Sequence, residues 1–237
     1  MRSIADQSLS ELGGPWSILA RQRADHVRLD ELLSELGRTS YGDAQDGVLH
    51  EVNRLVFPHA FAEESVLWPE LRRVLPVEEG EALTRQVEEE HQEVNELVVE
   101  LERPDTGPAR RAELLDRLVT VLREDVRDEE DQLLPRLQEA VDVRRLRVLG
   151  VAWEAVRRIS PTRPHPVVSR RPPGNALSAL PLTVLDRGRD RMDQAARRFP
   201  ALRPALVGAS QGAARVAGAV EHLPGMRRGE APSTHRD

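Results

Sequence analysis

Apolar residues recur at steps of three, four and seven through four stretches of the chain, roughly residues 15 to 37, 44 to 75, 78 to 102 and 108 to 148. Residues so spaced share one face of a helix, and the spacing predicts four amphipathic helices. Between them lie "GRTSYGD", "LPVEEG" and "RPDTGP", short segments with the Gly and Pro that favour turns. Connections this short make neighbouring helices antiparallel. The expected fold is all-α, an up-down-up-down four-helix bundle.

Beyond Ser160 the pattern lapses into "SPTRPHPVVSRRPPGN", which reads as an extended, poorly packed linker rich in Pro and Arg. Two weaker helical patches follow. In the first, Leu177, Leu180, Val184, Met192, Ala195 and Phe199 form one apolar face opposed by five Arg. The second, about Ala205 to His222, is rich in Ala and Gly, and the last dozen residues read as disordered. The expected domains are a bundle over residues 1–150 and a basic, partly disordered extension over 151–237.

Each predicted bundle stripe is interrupted near its middle by a polar residue. The first runs Leu19, His26, Leu29, Leu33 and Leu36, and the third runs Leu83, Val87, His91, Val94, Val98 and Leu101. In the second, Val48, Val52 and Leu55 lead to His59, Glu63 and Val66; in the fourth, Leu114, Leu118 and Val121 lead to Asp125, Glu129 and Leu133. Three histidines and three carboxylates are therefore expected at one level of the interior. A bare carboxylate in an apolar setting costs several kcal/mol unless a cation or hydrogen bonds compensate it. Two divalent or trivalent metal ions would supply the charge, since His and a carboxylate at i and i+4 reach the same or neighbouring ions. His50, nine residues before His59, is turned to the opposite side and is not expected to ligate.

Composition narrows the chemistry. With no cysteine among 237 residues, thiolate metal sites, iron–sulfur clusters, disulfides and cysteine nucleophiles are excluded, so any metal binds through N and O. That donor set favours iron, with manganese second. All 34 basic residues are Arg. Residues 1–150 hold 19 of them against 33 acids, net −14, whereas residues 151–237 hold 15 against 7, net +8. The basic tail, nearly devoid of stacking aromatics, is expected to dock on the acidic bundle or a protein partner, not on a specific nucleic-acid sequence. No leader-like start and no long apolar run appear, and a cytoplasmic protein without a transmembrane segment is expected.

The stretch "HAFAEESVLWPEL", His59 to Leu71, repeats 66 residues later as "DVRDEEDQLLPRL", Asp125 to Leu137, with His59 aligned on Asp125, Glu63 on Glu129, Glu64 on Glu130 and Pro69 on Pro135. "DHVRLDELL" and "EHQEVNELV" likewise align His26 with His91. The bundle reads as a duplicated helical hairpin. These residues resemble the hemerythrin family, in particular its hemerythrin-like HHE cation-binding branch, whose helices carry His, HxxxE, His and HxxxE in turn. The resemblance covers about residues 15 to 141 and implies that His26, His59, Glu63 and His91 are ligands, with Glu129 a second bridging carboxylate. Asp125 stands where that pattern has His, and Asn95 stands where oxygen carriers have a further His, so reversible oxygen carriage is not expected. The resemblance implies a non-haem di-iron centre that meets oxygen, nitric oxide or peroxide, or reports iron and redox state. A second reading is a helical interaction module with a structural or lost metal, its tail recruiting a partner. Glu64 and Asp30 are candidates to orient ligand imidazoles, and Asp128, Glu130 and Asp131 read as solvated or as such helpers.

Overall fold

The computed structural model describes residues 1–103 and 105–235. The chain is all-helical. Helix α1 (Ile18–Arg38) starts where the Ser17 hydroxyl accepts from the Leu19 amide. After a turn at Gly42, whose φ of 135° suits a residue without a Cβ, α2 (Asp43–Ala62) begins with Asp43 and Asp46 in its first turn, complementing the helix dipole. Pro58 lies inside α2 without ending it. A π-helical turn (Glu63–Leu67) joins α2 to α3 (Trp68–Val74). Helix α4 (Val77–Leu101) follows, then α5 (Pro108–Asp128), which a second π-helical turn (Glu129–Leu133) joins to α6 (Leu134–Ala140). Pro104, within the predicted "RPDTGP" turn, lies outside the described residues.

Two apolar clusters fill the bundle. One gathers Leu19, Ala62, Trp68, Leu71, Val87, Leu133 and Leu137; the other gathers Leu29, Leu33, Val52, Phe57, Val94, Val98, Leu118 and Leu122. Along α1 and α4 the chain passes from the first cluster to the second, and along α2–α3 and α5–α6 it passes back. The helices therefore alternate in direction, and each crosses the polar level between the clusters at its His, Asp or Glu.

The predicted fourth segment is too long. It ends at Ala140, and a separate helix α7 (Val143–Arg157), capped by the Asp142 carboxylate on the Arg145 amide, packs on α1 and α2. Its buried Leu146, Leu149 and Trp153 extend the first apolar cluster. A boundary drawn at residue 150 would cut this helix.

The Pro- and Arg-rich segment is not the loosely packed linker the composition predicts. Ser160, Thr162, Arg163, His165, Ser169 and Arg170 are buried, because each finds polar partners that compensate desolvation. His165 N–H donates to Asn95 Oδ1 at 2.9 Å, Gln92 Nε2 donates to the Pro166 carbonyl at 3.2 Å, and Arg171 meets Glu88 at 2.8 Å. The last stretch also packs: Ser169 N–H donates to the Met226 carbonyl, Gly174 N–H to that of Arg228, and Thr234 is buried. Arg236 and Asp237 lie outside the described residues.

Helices α8 (Gly174–Arg198) and α9 (Arg203–Glu221) pair around Val168, Leu182 and Ala217. Helix α8 does not bury the predicted face. Leu177, Leu180, Val184 and Phe199 are exposed, while Ala179, Leu182, Thr183, Asp186 and Asp190 face inward. The polar groups of that inner face bind the preceding segment, which apolar periodicity cannot register: Asp186 accepts from the Thr162 and Arg163 amides, and Asp190 from Arg163 Nε. Among the described residues no helix is long and apolar enough to cross a membrane.

Candidate metal centre

The six residues singled out in the stripes meet between the two apolar clusters. His26 is on α1, His59 on α2, His91 on α4 and Asp125 on α5, while Glu63 and Glu129 open the two π-helical turns. The widened turns follow from the repeated prolines. Pro69 and Pro135 have no N–H, and their rings crowd the carbonyl four residues back, which disfavours continuous α-helix. Instead, the Trp68 amide reaches back five residues to the Glu63 carbonyl and the Leu134 amide to that of Glu129.

The ligand atoms form two sets. His26, His59, Glu63 and Glu129 each offer one atom within 4.8 Å of the others, and so do His91, Asp125 and Glu129. Glu129 belongs to both, and Glu63 spans them as well, with Oε1 2.9 Å from His59 Nε2 and Oε2 3.6 Å from His91 Nε2. His91 Nε2 also lies 3.6 Å from Asp125 Oδ1, and His26 Nε2 3.1 Å from Glu129 Oε2.

Behind each imidazole stands a carboxylate. His26 Nδ1 donates to Glu130 at 2.9 Å, His59 Nδ1 to Asp25 at 3.2 Å and His91 Nδ1 to Glu64 at 3.0 Å. Each bond fixes the tautomer and turns Nε2 toward the centre. The repeat works reciprocally: Glu130 from the second copy orients His26 of the first, and Glu64 from the first orients His91 of the second. Asp25, the acid that opens the repeated "DHVRLDELL", gains this role only from the structure; its counterpart Glu90 directly precedes His91. Asp30 does not take that role; it is exposed and pairs with Arg123. Trp153 is a second residue that periodicity missed. Arriving on α7, its ring stands edge-on to His59, centroids 5.3 Å apart.

Both oxygens of Glu63 and of Glu129, Asp125 Oδ1 and His26 Nε2 are buried without a hydrogen-bond partner. Orphaned carboxylate oxygens aimed at one point are expensive in a packed protein, and a cation answers them. Electrostatics agree. Burial opposes charge on the imidazoles, yet Glu129 and Glu130 raise the pKa of His26 to about 9, and Asp125, Glu64 and Glu63 raise that of His91 to about 10. His59 is held well above its ordinary range by Glu63 and Asp25 against its burial. Burial and then Glu129 push Asp125 well up, whereas His59 and His91 outweigh burial and hold Glu63 low. The pocket thus gathers positive charge, whether from protons or from metal. With imidazole and carboxylate donors only, the residues fit hard or borderline divalent and trivalent ions such as iron and manganese.

Beside the centre is a cavity of about 20 Å³, bordered by His26, His59, His91 and Asp125 and walled by Leu29, Val56, Phe57 and Leu122. It has room for a molecule of two or three atoms.

No curated protein and no solved structure matches the chain. Residues 17–137 match the hemerythrin HHE cation-binding domain, a span that runs from the start of α1 into α6 and takes in all six candidate ligands. The chain belongs to the hemerythrin HHE cation-binding family.

Proposed function

We propose that the bundle holds two iron ions, or manganese in its place, one toward His26 and His59 and the other toward His91 and Asp125, with Glu63 and Glu129 between them. The observation that carries this reading is the pair of donor sets sharing Glu129, whose two oxygens are both buried and turned toward the imidazoles. Bound there, the ions would supply redox chemistry toward oxygen, peroxide or nitric oxide. The residues do the rest. Asp25, Glu64 and Glu130 orient the imidazoles, the apolar wall of the cavity admits only a small uncharged or singly charged ligand, and Phe57 and Leu122 exclude bulk water. The role that follows is response to such a ligand, or sensing of iron or redox state.

The test is metal content of untagged protein with visible absorption and azide titration. Iron near two per chain, with a band that azide shifts, is the expected result, and Glu63→Ala abolishes both. A metal-free bundle whose stability Glu63→Ala leaves unchanged supports the helical interaction module instead.

A further inference from the structure

The structure carries a second polar site, separate from the donor sets. A cleft of about 440 Å³ opens between α2, the end of α7 and α8. Arg54, Arg157, Arg158, Arg187, Arg191 and Arg197 line it, against two acids, Glu51 and Asp190. On a chain of net charge −6 this is a concentration of like charge that needs a reason.

Internal partners account for only part of it. Arg157 and Arg158 pair with Glu154, and Arg157 also reaches Asp25. Asp190 is committed elsewhere, to Arg163 at 2.9 Å and the Thr162 hydroxyl at 2.8 Å. The guanidinium of Arg187 donates to the Arg158 carbonyl and finds no carboxylate. Those of Arg54, Arg191 and Arg197 make no hydrogen bond or ion pair among the described residues. By contrast, Arg110, Arg117 and Arg136 on the bundle surface each meet a glutamate.

We propose that this cleft binds a small polyphosphorylated anion through its arginines. The guanidinium fork matches phosphate oxygens in bidentate fashion, and forks on two helices and at the end of a third suit linked phosphates better than a single one. The volume is that of a small-molecule site. No Phe, Tyr or Trp lines the cleft and His50 is its one ring, so recognition rests mainly on the phosphates. The shared chemistry is a chain of two or three phosphates, either inorganic or the tail of a nucleotide. This site does not depend on the metal reading.

Calorimetric titration of the full-length chain with tripolyphosphate and with ATP, at low and at physiological salt, tests the proposal. Saturable binding of one anion per chain is expected, weakened about tenfold or more by Arg54→Ala and by Arg191→Ala. Arg85→Ala, an exposed arginine that does not line the cleft, leaves it unchanged. Equal affinity for the two probes assigns the site to the phosphate chain alone, and tighter ATP binding assigns it to a nucleotide. Thermal melts check that the variants fold, and Arg54→Gln, which keeps a polar side chain there, repeats the loss of affinity. Absence of saturable binding by both probes overturns the proposal. So does an equal loss in Arg85→Ala, or duplex DNA outcompeting tripolyphosphate through the same arginines.

Discussion

At position 125 the duplicated pattern is broken in a way that its neighbours still register. Asp25 accepts from His59, but its repeat counterpart Glu90 stands near Asp125, so a carboxylate faces a carboxylate. Burial first, then Asp128 and Glu129, lift Glu90 to about 7, and Glu90 in turn helps push Asp125 up. Asp125→His gives Glu90 an imidazole to orient. Carbon-detected NMR should then show Glu90 titrating in the ordinary carboxylate range, and voltammetry should show a higher iron reduction potential, because a neutral ligand replaces an anionic one. An unchanged potential rejects the charge argument. For the carboxylates behind the imidazoles, Glu130→Ala is expected to weaken metal binding about 10- to 100-fold, read by competition with a chelator.

Among the elements, α7 decides how the centre is closed. It crosses the start of α1 at Gly150, where a Cβ would lie 2.2 Å from the Trp16 carbonyl oxygen and 2.8 Å from the Ile18 nitrogen. Both are backbone atoms and cannot swing aside. Gly150→Ala should therefore destabilise the protein by about 2–3 kcal/mol in urea unfolding and loosen Trp153 from His59. Gly188→Ala on α8, where a Cβ meets nothing within 4 Å, is the control and should be neutral or stabilising by up to about 1 kcal/mol. The four bundle helices were legible because their apolar steps persist over many turns. The break between α6 and α7 was not: "EAVDVRRL" carries no Gly or Pro, and its stop is the Asp142 cap.

For the whole molecule, the C-terminal third is tied to the bundle by buried charge. Glu64 and Glu88 receive Arg170 at 3.8 Å and Arg171 at 2.8 Å. Removing residues 160–237 should lower the melting temperature of the bundle at low salt, by a margin that narrows as salt rises; equal melting at low salt counts against docking of the tail. His165 supplies a pH signature. Burial opposes its charge, but Asp186 and Glu221, at 2.9 and 2.8 Å, raise its pKa to about 9 from 6.5. A raised folded pKa means stability fully present below about pH 6.5 and lost as pH climbs through 9, on the order of 3 kcal/mol relative to His165→Gln in denaturant melts.

What the sequence determined by itself was the helical bundle, its duplication and the six residues at its polar level, because all three are written in spacing along single helices. Tertiary structure alone decided the rest. Asp25 and Trp153 reach His59 from other helices, Glu130 reaches His26 across 104 residues, and the arginine cleft draws on three separate elements. The buried face of α8 was misjudged for the same reason, since its polar residues are satisfied by a segment that composition describes as a linker. Periodicity reports which face of a helix turns inward when apolar burial drives packing, and it is silent where hydrogen bonds between distant segments do.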